Sequence, residues 1–261
     1  MYWSTFLWPL GLGLWADVMS LHTFYIPPAD ITGDTAVLSG DELRHARATL
    51  RLNSGDTVRV VDGEGGSWEA RIRSMDKGKS LLALSRKETE PIPDFHLTVA
   101  MGIVQGERFD WAIQKGTELG VTSFVPLVTE RTEYGSKGRW KRLDRLWRVI
   151  VSACKQCGRA RFPELSDPVP LRDLDTSQYD LSLVFWEEHP AGGLKKAVEG
   201  IDSPGSCLMV IGPVGGLTVE EVELLREKGC LVAGLGSRIL RTETAVTAGA
   251  SLLQFLWGDM K

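Results

Sequence analysis

Two glycine-rich turns near the carboxyl end hold the residues best suited to chemistry. The first is Gly212-Pro213-Val214-Gly215-Gly216; the second runs from Leu235 through Gly236, Ser237, Arg238, Ile239 and Leu240 to Arg241. Each follows a short apolar run, from Cys207 and from Cys230, and each leads into a helix-like segment. In an open α/β sheet, ligands bind at the carboxyl ends of strands, so both turns are candidates for a small-molecule site. Neither matches the G-x-G-x-x-G dinucleotide pattern or a Walker phosphate loop. Glycines at 212, 215 and 216 permit a tight turn and close backbone approach to a ligand, and Pro213 stiffens it. Thr218 and Glu221 have capping-box spacing for the helix that follows. Thr242 can cap the last helix, in which Ala245, Ala248, Gly249 and Ala250 allow very close packing. An ordinary strand–helix connection explains the glycines equally well.

Cys154 and Cys157 form a C-x-x-C pair, which suggests redox or zinc chemistry. No second pair with metal-ligand spacing exists, and the pair falls at the end of a predicted helix, where no helix dipole lowers a thiol pKa. A structural reading is favoured, and no metal site is expected. Four irregularly spaced cysteines suit a reducing cytoplasm rather than a disulfide framework.

A second kind of chemistry is charge. The protein has a formal net charge of -4, which excludes a uniformly basic nucleic-acid binder but not a local basic surface. From Lys137 to Arg161 there are nine Lys or Arg and one acid, Asp144. Trp140, Leu143, Trp147, Ile150 and Cys154 fall at spacings of three and four and predict one buried stripe. Lys141, Arg142, Arg145, Arg148 and Lys155 lie largely off it, and Arg139 precedes them as a further RNA-contact candidate. A merely solvated face would interleave acids for i,i+4 pairing; their absence points to a polyanion partner. Arg131 and Arg159 flank the segment. Nearer the amino end, Arg44, His45, Arg47 and Arg51 cluster on a short helix, next to Arg59, Arg71 and Arg73, and these add an RNA-contact candidate.

The elements that must position these residues divide the chain. With 261 residues, 43% hydrophobic and 25% charged, it can build one large domain or two ordinary ones. No run reaches the roughly 20 apolar residues of a membrane span. Residues 1–18 are apolar, lack Lys and Arg, and read as an upstream extension. Residues 19–90 carry short alternating strands at Phe24–Ile26, Ala36–Leu38, and around 56–63, 67–75 and 80–88, which predict a small β-barrel. Ser39 and Glu42 have capping-box spacing for a short helix through about Leu50. Pro91 and Pro93 mark the linker within 88–95. Residues 91–261 alternate strands with helices, which predicts an α/β fold with a parallel sheet covered on both faces.

The segments TELGVTSFVPLVTERT, ACKQCGRARFPEL, VIGPVGGLTVEE and LGSRILRTETA, with LRHARATLRLNSGDTVRVVDGEG earlier, resemble the RsmE family of SPOUT-class ribosomal RNA methyltransferases over about residues 22–259. The resemblance implies a PUA-like β-barrel RNA-binding domain followed by a SPOUT-type α/β trefoil-knot methyltransferase domain, knots being otherwise nearly absent from proteins. It further implies a cytoplasmic homodimer that uses S-adenosylmethionine to methylate N3 of one uridine in 16S ribosomal RNA, with the assembled small subunit as the expected substrate. The methyl donor would lie against Gly212, Pro213, Gly215, Gly216, Leu235, Gly236, Ile239 and Leu240, with His189 near the same pocket. The proposed catalytic pair is Arg241, whose charge favours the uridine anion, and Glu243, which orients the base or accepts its proton. Both residues also fit a structural role beside a helix start. One departure stands out: the family usually carries Glu where this chain has Val214. A non-catalytic RNA-binding protein with a decayed cofactor site is the alternative that this substitution leaves open.

Overall fold

The protein is described here from a computed structural model that covers residues 21–132, 142–188 and 193–260. The apolar segment 1–18 lies outside these residues, as do Trp140, Arg139, Lys141 and His189. The chain forms two compact units: one ends at Glu90 and takes in Gly158–Arg161, and the other comprises Pro91–Cys157 and Phe162 onward.

In the first unit, β1 (Thr23–Tyr25), β2 (Ile31–Thr32), β3 (Thr35–Ser39), β4 (Thr57–Val61), β5 (Gly66–Met75) and β6 (Lys79–Thr89) form one sheet in the order β1-β4-β5-β6-β3-β2. Alternation decides its faces: Val58, Val60, Ala70, Ile72, Leu82 and Leu84 are buried, while Glu69, Arg71 and Arg73 between them face water. The buried residues of β1, β3, β4, β5 and β6 share a single core, so the sheet curls around it. The strand pairings among the described residues leave β1 and β2 as the two ends, so this part of the barrel expectation becomes a curled open sheet. Glu90 closes the unit: its carboxylate accepts the N–H groups of Ala160 and Arg161.

The short helix α1 (Gly40–Arg44) differs from its prediction. Ser39 makes no side-chain cap, because it is still paired to Lys79 in the β3–β6 ladder and Gly40 turns the chain at φ +59°. The helix then widens into a π turn over His45–Thr49. This keeps Leu43 and Ala46 in the core while Arg44, His45, Arg47 and Arg51 face outward.

The second unit is built on β7 (His96–Gly102), β8 (Ser123–Val128), β9 (Glu164–Leu165), β10 (Val169–Pro170), β11 (Leu181–Phe185), β12 (Ser206–Ile211) and β13 (Leu231–Ala233). Every pairing is parallel, in the order β10-β8-β7-β12-β11-β13 with β9 also on β8. β7, β11 and β12 are almost wholly buried, as strands covered on both faces must be. The cover comes from α2 (Glu107–Glu118), α3 (Leu143–Cys157), α4 (Gly193–Ala197), α5 (Val219–Glu227) and α6 (Thr242–Trp257). Ala100, Val184, Leu208 and Val210 form one layer with Val222 and Leu225 of α5. The alternate residues Phe185 and Met209 meet α6 at Gly249, where a Cβ would stand 2.6 Å from the Met209 sulfur. Glycine at 249 is therefore what lets the last helix approach the sheet. β9 and β10, two residues each, were not anticipated; such short strands leave no alternation to read.

The basic helix corrects two expectations. Its buried residues are Leu146, Ile150, Ala153 and Cys154, while Trp147 is exposed and tilts against Phe162. The stripe is rotated because 3.6-residue periodicity admits neighbouring faces, and contact with α2 selects among them. Arg142 also receives an acid that sequence spacing could not supply. Its Nη2 bonds Asp110 of α2 at 3.1 Å, and Arg145 pairs with the other oxygen of the same carboxylate. The Asp110 side chain is only 12% exposed, so the pair is screened less than a surface pair. Arg142 also donates to the Gly106 carbonyl at 2.6 Å. Part of the positive charge is thus internal, holding α3 to α2.

Burial pushes the thiols of Cys207 and Cys230 up to about 12 and about 11, which keeps them protonated and inert, consistent with their place in the core. Asp110→Ala leaves two guanidinium groups without their carboxylate and should lower the unfolding free energy by about 2 kcal/mol, the scale of charged hydrogen bonds lost from a partly buried site. Urea denaturation measures it; a midpoint equal to that of the parent protein would show the pair to be incidental.

Candidate active site

Both glycine turns emerge at the carboxyl end of the same sheet and line one cavity of about 390 Å³. Its walls are the end of β11 (Phe185 to Glu187), the turn after β12 (Ile211 to Leu217) and the chain from Leu235 to Glu243 after β13. This follows from strand order: β11, β12 and β13 are adjacent and parallel, so their three exits must open side by side. Gly212, Pro213, Gly215, Gly216, Leu235, Gly236, Ile239, Leu240, Arg241 and Glu243 all line it. His189 lies outside the described residues.

The first turn is tight and fixed from several sides. Gly216 N–H donates to the Pro213 carbonyl at 2.9 Å, and Gly216 adopts φ +71°, the left-handed region that favours glycine. Pro213 sits against Gly102 at the end of β7, where a side chain would collide with the ring. The capping box forms: Glu221 N–H donates to Thr218 Oγ1 at 3.2 Å, and Thr218 N–H donates to Glu221 Oε2 at 3.0 Å. Val214 is 66% exposed at the rim, so a carboxylate in its place would stand largely in water.

Thr242 has a different role from the predicted cap. It is the first residue of α6, the cap position belongs to Arg241, and no side chain caps the helix. The Thr242 hydroxyl instead donates to the Gly212 carbonyl at 3.2 Å. A buried hydroxyl needs a partner, and the nearest carbonyl comes from the other turn, so this bond ties the two turns together.

Charges of both signs face the cavity: Arg108, Arg238 and Arg241 against Glu187 and Glu243. One Glu243 carboxylate oxygen is shielded from solvent and has no hydrogen-bond partner among the described residues. Leaving such an oxygen unpaired costs on the order of 1–3 kcal/mol; its place in the first turn of α6 offsets some of this through the helix dipole. A ligand group that donates a hydrogen bond would offset more. Ile239, 85% exposed at the rim, is an apolar surface in the same position of need.

The remaining candidates are spread over both units. Arg44 pairs with Asp41, Arg47 donates to the Asp76 carbonyl at 3.2 Å, and Arg51 is exposed with φ +55°. Arg159 belongs to the stretch that joins the first unit. Arg131 lies by the cavity, its Nη1 donating to the Gly215 carbonyl at 2.7 Å. Arg139 and Lys141 fall outside the described residues. Cys154 is buried and Cys157 half-buried in the last turn of α3, and no cluster among the described residues could hold a metal. Sequence reasoning missed Glu187, which the strand-end rule applied to β11 would have found. It also missed Arg108, which reaches the cavity from α2 and leaves no signal in the sequence.

The lining suits a nucleoside-sized ligand that carries charges of both signs. Backbone groups of two glycine turns, apolar Leu217, Leu235 and Leu240, two carboxylates and three guanidinium groups surround a volume in the usual range for cofactor sites. Comparison with known proteins identifies the family. An RNA methyltransferase domain model matches residues 90–254, and an RNA methyltransferase PUA domain model matches residues 38–84. The chain is 32% identical to ribosomal RNA small subunit methyltransferase E of Bacillus subtilis, covering 85% of this chain and 90% of the relative. It is 30% identical to the Synechocystis protein of the same name, covering 97% and 86%. Among solved structures, a Legionella pneumophila methyltransferase in complex with S-adenosylmethionine aligns with TM-score 0.83 at 30% identity, over 92% of this chain and 99% of that one. The ribosomal RNA small subunit methyltransferase E of Neisseria gonorrhoeae, also bound to S-adenosylmethionine, aligns with TM-score 0.80 at 30% identity, over 92% and 100%. The strand-end cavity, its paired glycine turns and these matches along most of the chain place it in the ribosomal RNA small subunit methyltransferase E family.

Proposed function

We propose that this protein transfers a methyl group from S-adenosylmethionine to N3 of a uridine in 16S ribosomal RNA. The observation that carries the reading is the convergence of both glycine turns, Arg241 and Glu243 on one cavity. Gly212, Pro213, Gly215 and Gly216 would hold the donor on one side and Leu235, Gly236, Ile239 and Leu240 on the other, mostly through backbone groups; His189 is assigned to the same pocket. The bound sulfonium supplies an activated methyl group. The protein's task is to hold N3 in line with it and to remove the N3 proton. Arg241 stabilises the uridine anion, and Glu243, with its shielded, unpartnered oxygen, accepts the proton or a hydrogen bond from the base. The uridine reaches them by leaving its stack.

The RNA is held by Arg44, His45, Arg47 and Arg51 on the PUA-like unit, with Arg139, Lys141 and Arg159 as further contacts and the assembled small subunit as substrate; Arg131, counted with them from its place in the sequence, is engaged at the glycine turn instead. The α/β unit is read as a SPOUT trefoil knot. Support comes from β12 lying between β7 and β11 while α6 returns to pack on β7 and β12, tied to the first turn by Thr242. A homodimer in the cytoplasm completes the reading. The dimer is supported by Leu252, Phe255 and Leu256, which share one exposed face of α6, and by exposed Trp111 on the neighbouring α2; clustered apolar exposure marks an association surface.

The test is methylation of ribosomal RNA from a strain lacking the enzyme, with and without this protein, offered both as naked RNA and as small subunits and mapped by mass spectrometry. One N3-methyluridine should appear; RNA binding without any methylation would instead favour a non-catalytic binder. Glu243→Gln and Arg241→Ala should each lower kcat by about a hundredfold or more, the usual scale for a lost general base or charge stabiliser, with donor affinity by calorimetry changed little. Intact turnover in either variant would remove that residue from the mechanism. Val214→Glu, by contrast, adds a solvated charge worth under about 1 kcal/mol, so kcat/KM should change by less than about fivefold; a larger gain would make the native Val214 a functional deficit.

A further inference from the structure

Arg131 is one of the basic residues assigned to RNA, yet its guanidinium is engaged with the glycine turn. Nη1 donates to the Gly215 carbonyl at 2.7 Å. Its aliphatic stem occupies the space beside Gly215, where a Cβ would stand 3.2 Å from Arg131 Cβ and 3.3 Å from Cδ. That carbonyl belongs to the peptide between Gly215 and Gly216. A peptide flanked by two glycines can rotate with little steric resistance. Here it is held at both ends, its N–H on the Pro213 carbonyl at 2.9 Å and its oxygen on Arg131.

The short turn that presents Arg131 is itself anchored. Thr129 N–H donates to Thr132 Oγ1 at 2.9 Å, and Thr132 N–H donates to the Thr129 carbonyl at 3.1 Å. Glu130 N–H donates to Glu221 Oε1 at 2.8 Å, while Glu221 Oε2 accepts from Thr218. One carboxylate therefore fastens the 129–132 turn to the start of α5, directly after the glycine turn. The latch crosses about ninety positions of sequence and fixes the 215–216 peptide relative to the cavity wall it forms.

We infer that Arg131 is a positioning residue for the methyl-donor turn, acting through the Gly215 carbonyl; this rests on the cavity being the donor site. A charge-assisted bond from a planar guanidinium suits the task. Without it the 215–216 peptide samples other orientations, and the bound fraction falls because the binding-competent state is less populated.

The experiment is calorimetric titration of the full chain with S-adenosylmethionine in the absence of RNA, together with steady-state kinetics and thermal melting. Arg131→Ala should weaken donor binding about tenfold, the loss expected for one charged hydrogen bond, raising the donor KM while kcat at saturating donor and the KM for RNA stay near parental values. Arg131→Lys keeps a cationic donor and should restore donor affinity to within about threefold of the parent; it also covers the case of an Arg131→Ala protein that does not fold. Unchanged donor affinity with a raised KM for RNA would overturn the inference and leave Arg131 as a phosphate contact. A parent protein that binds no donor would instead overturn the donor-site reading itself.

Discussion

The second unit depends on the central place of β12. It pairs in parallel with β7 over its whole length and with β11 from Cys207 to Ile211, and five of its six residues are buried. A strand enclosed in this way cannot slip by one residue without turning apolar side chains out of one layer and into the other. Its exit is therefore fixed, and Gly212 begins there. The turn after β12, the end of β11 and the long connection after β13 then open side by side because their strands are neighbours with one direction. The cavity is the consequence of that parallel order, and the small residues lining it let backbone approach whatever occupies it.

Close approach accounts for the glycines individually. Gly102 admits the ring of Pro213, Gly215 admits the stem of Arg131, and Gly249 admits Met209. At each position a methyl group would displace a neighbour, and each neighbour serves the cavity: a turn, a latch, or the seat of the helix carrying Thr242 and Glu243. At these three positions glycine is a packing requirement, whereas Gly216 and Gly236 serve the backbone, at φ +71° and +103°. The polar contacts serve the same end. Thr242 to Gly212, Arg131 to Gly215 and Glu221 to both Thr218 and Glu130 join segments distant in sequence, so the walls are held as one body. Preorganisation of this kind is how a protein with no metal cluster among its described residues positions an activated donor.

Charge follows a division that composition hides. The excess of Lys and Arg between 137 and 161 looks uniform in sequence, but Arg142 and Arg145 converge on Asp110 and hold two helices together. In the other unit Arg44 remains exposed with a local ion pair to Asp41, and Arg47 remains exposed with only a neutral backbone carbonyl, that of Asp76, as partner. Local ion pairs at exposed sites are worth little, so these residues keep their charge available to a polyanion, whereas Arg142 does not.

Much was legible in the sequence because it depends on local rules. Period-two alternation in 56–88, the apolar run from Cys207 that becomes β12 and the capping box at Thr218 each rest on a few adjacent residues. The family motifs, being contiguous, named the family and the donor. What remained hidden depends on partners far apart in the chain. Ser39 cannot cap because its backbone is committed to β6; Thr242 leaves its helix for Gly212; the face that α3 buries is chosen by α2; Arg131 turns to Gly215, and Glu187 and Arg108 reach the cavity from separate elements. Sequence spacing determines which face or turn a residue can occupy, but a hydrogen bond or ion pair forms with whichever group the fold brings within about 3 Å, and only the tertiary structure decides that.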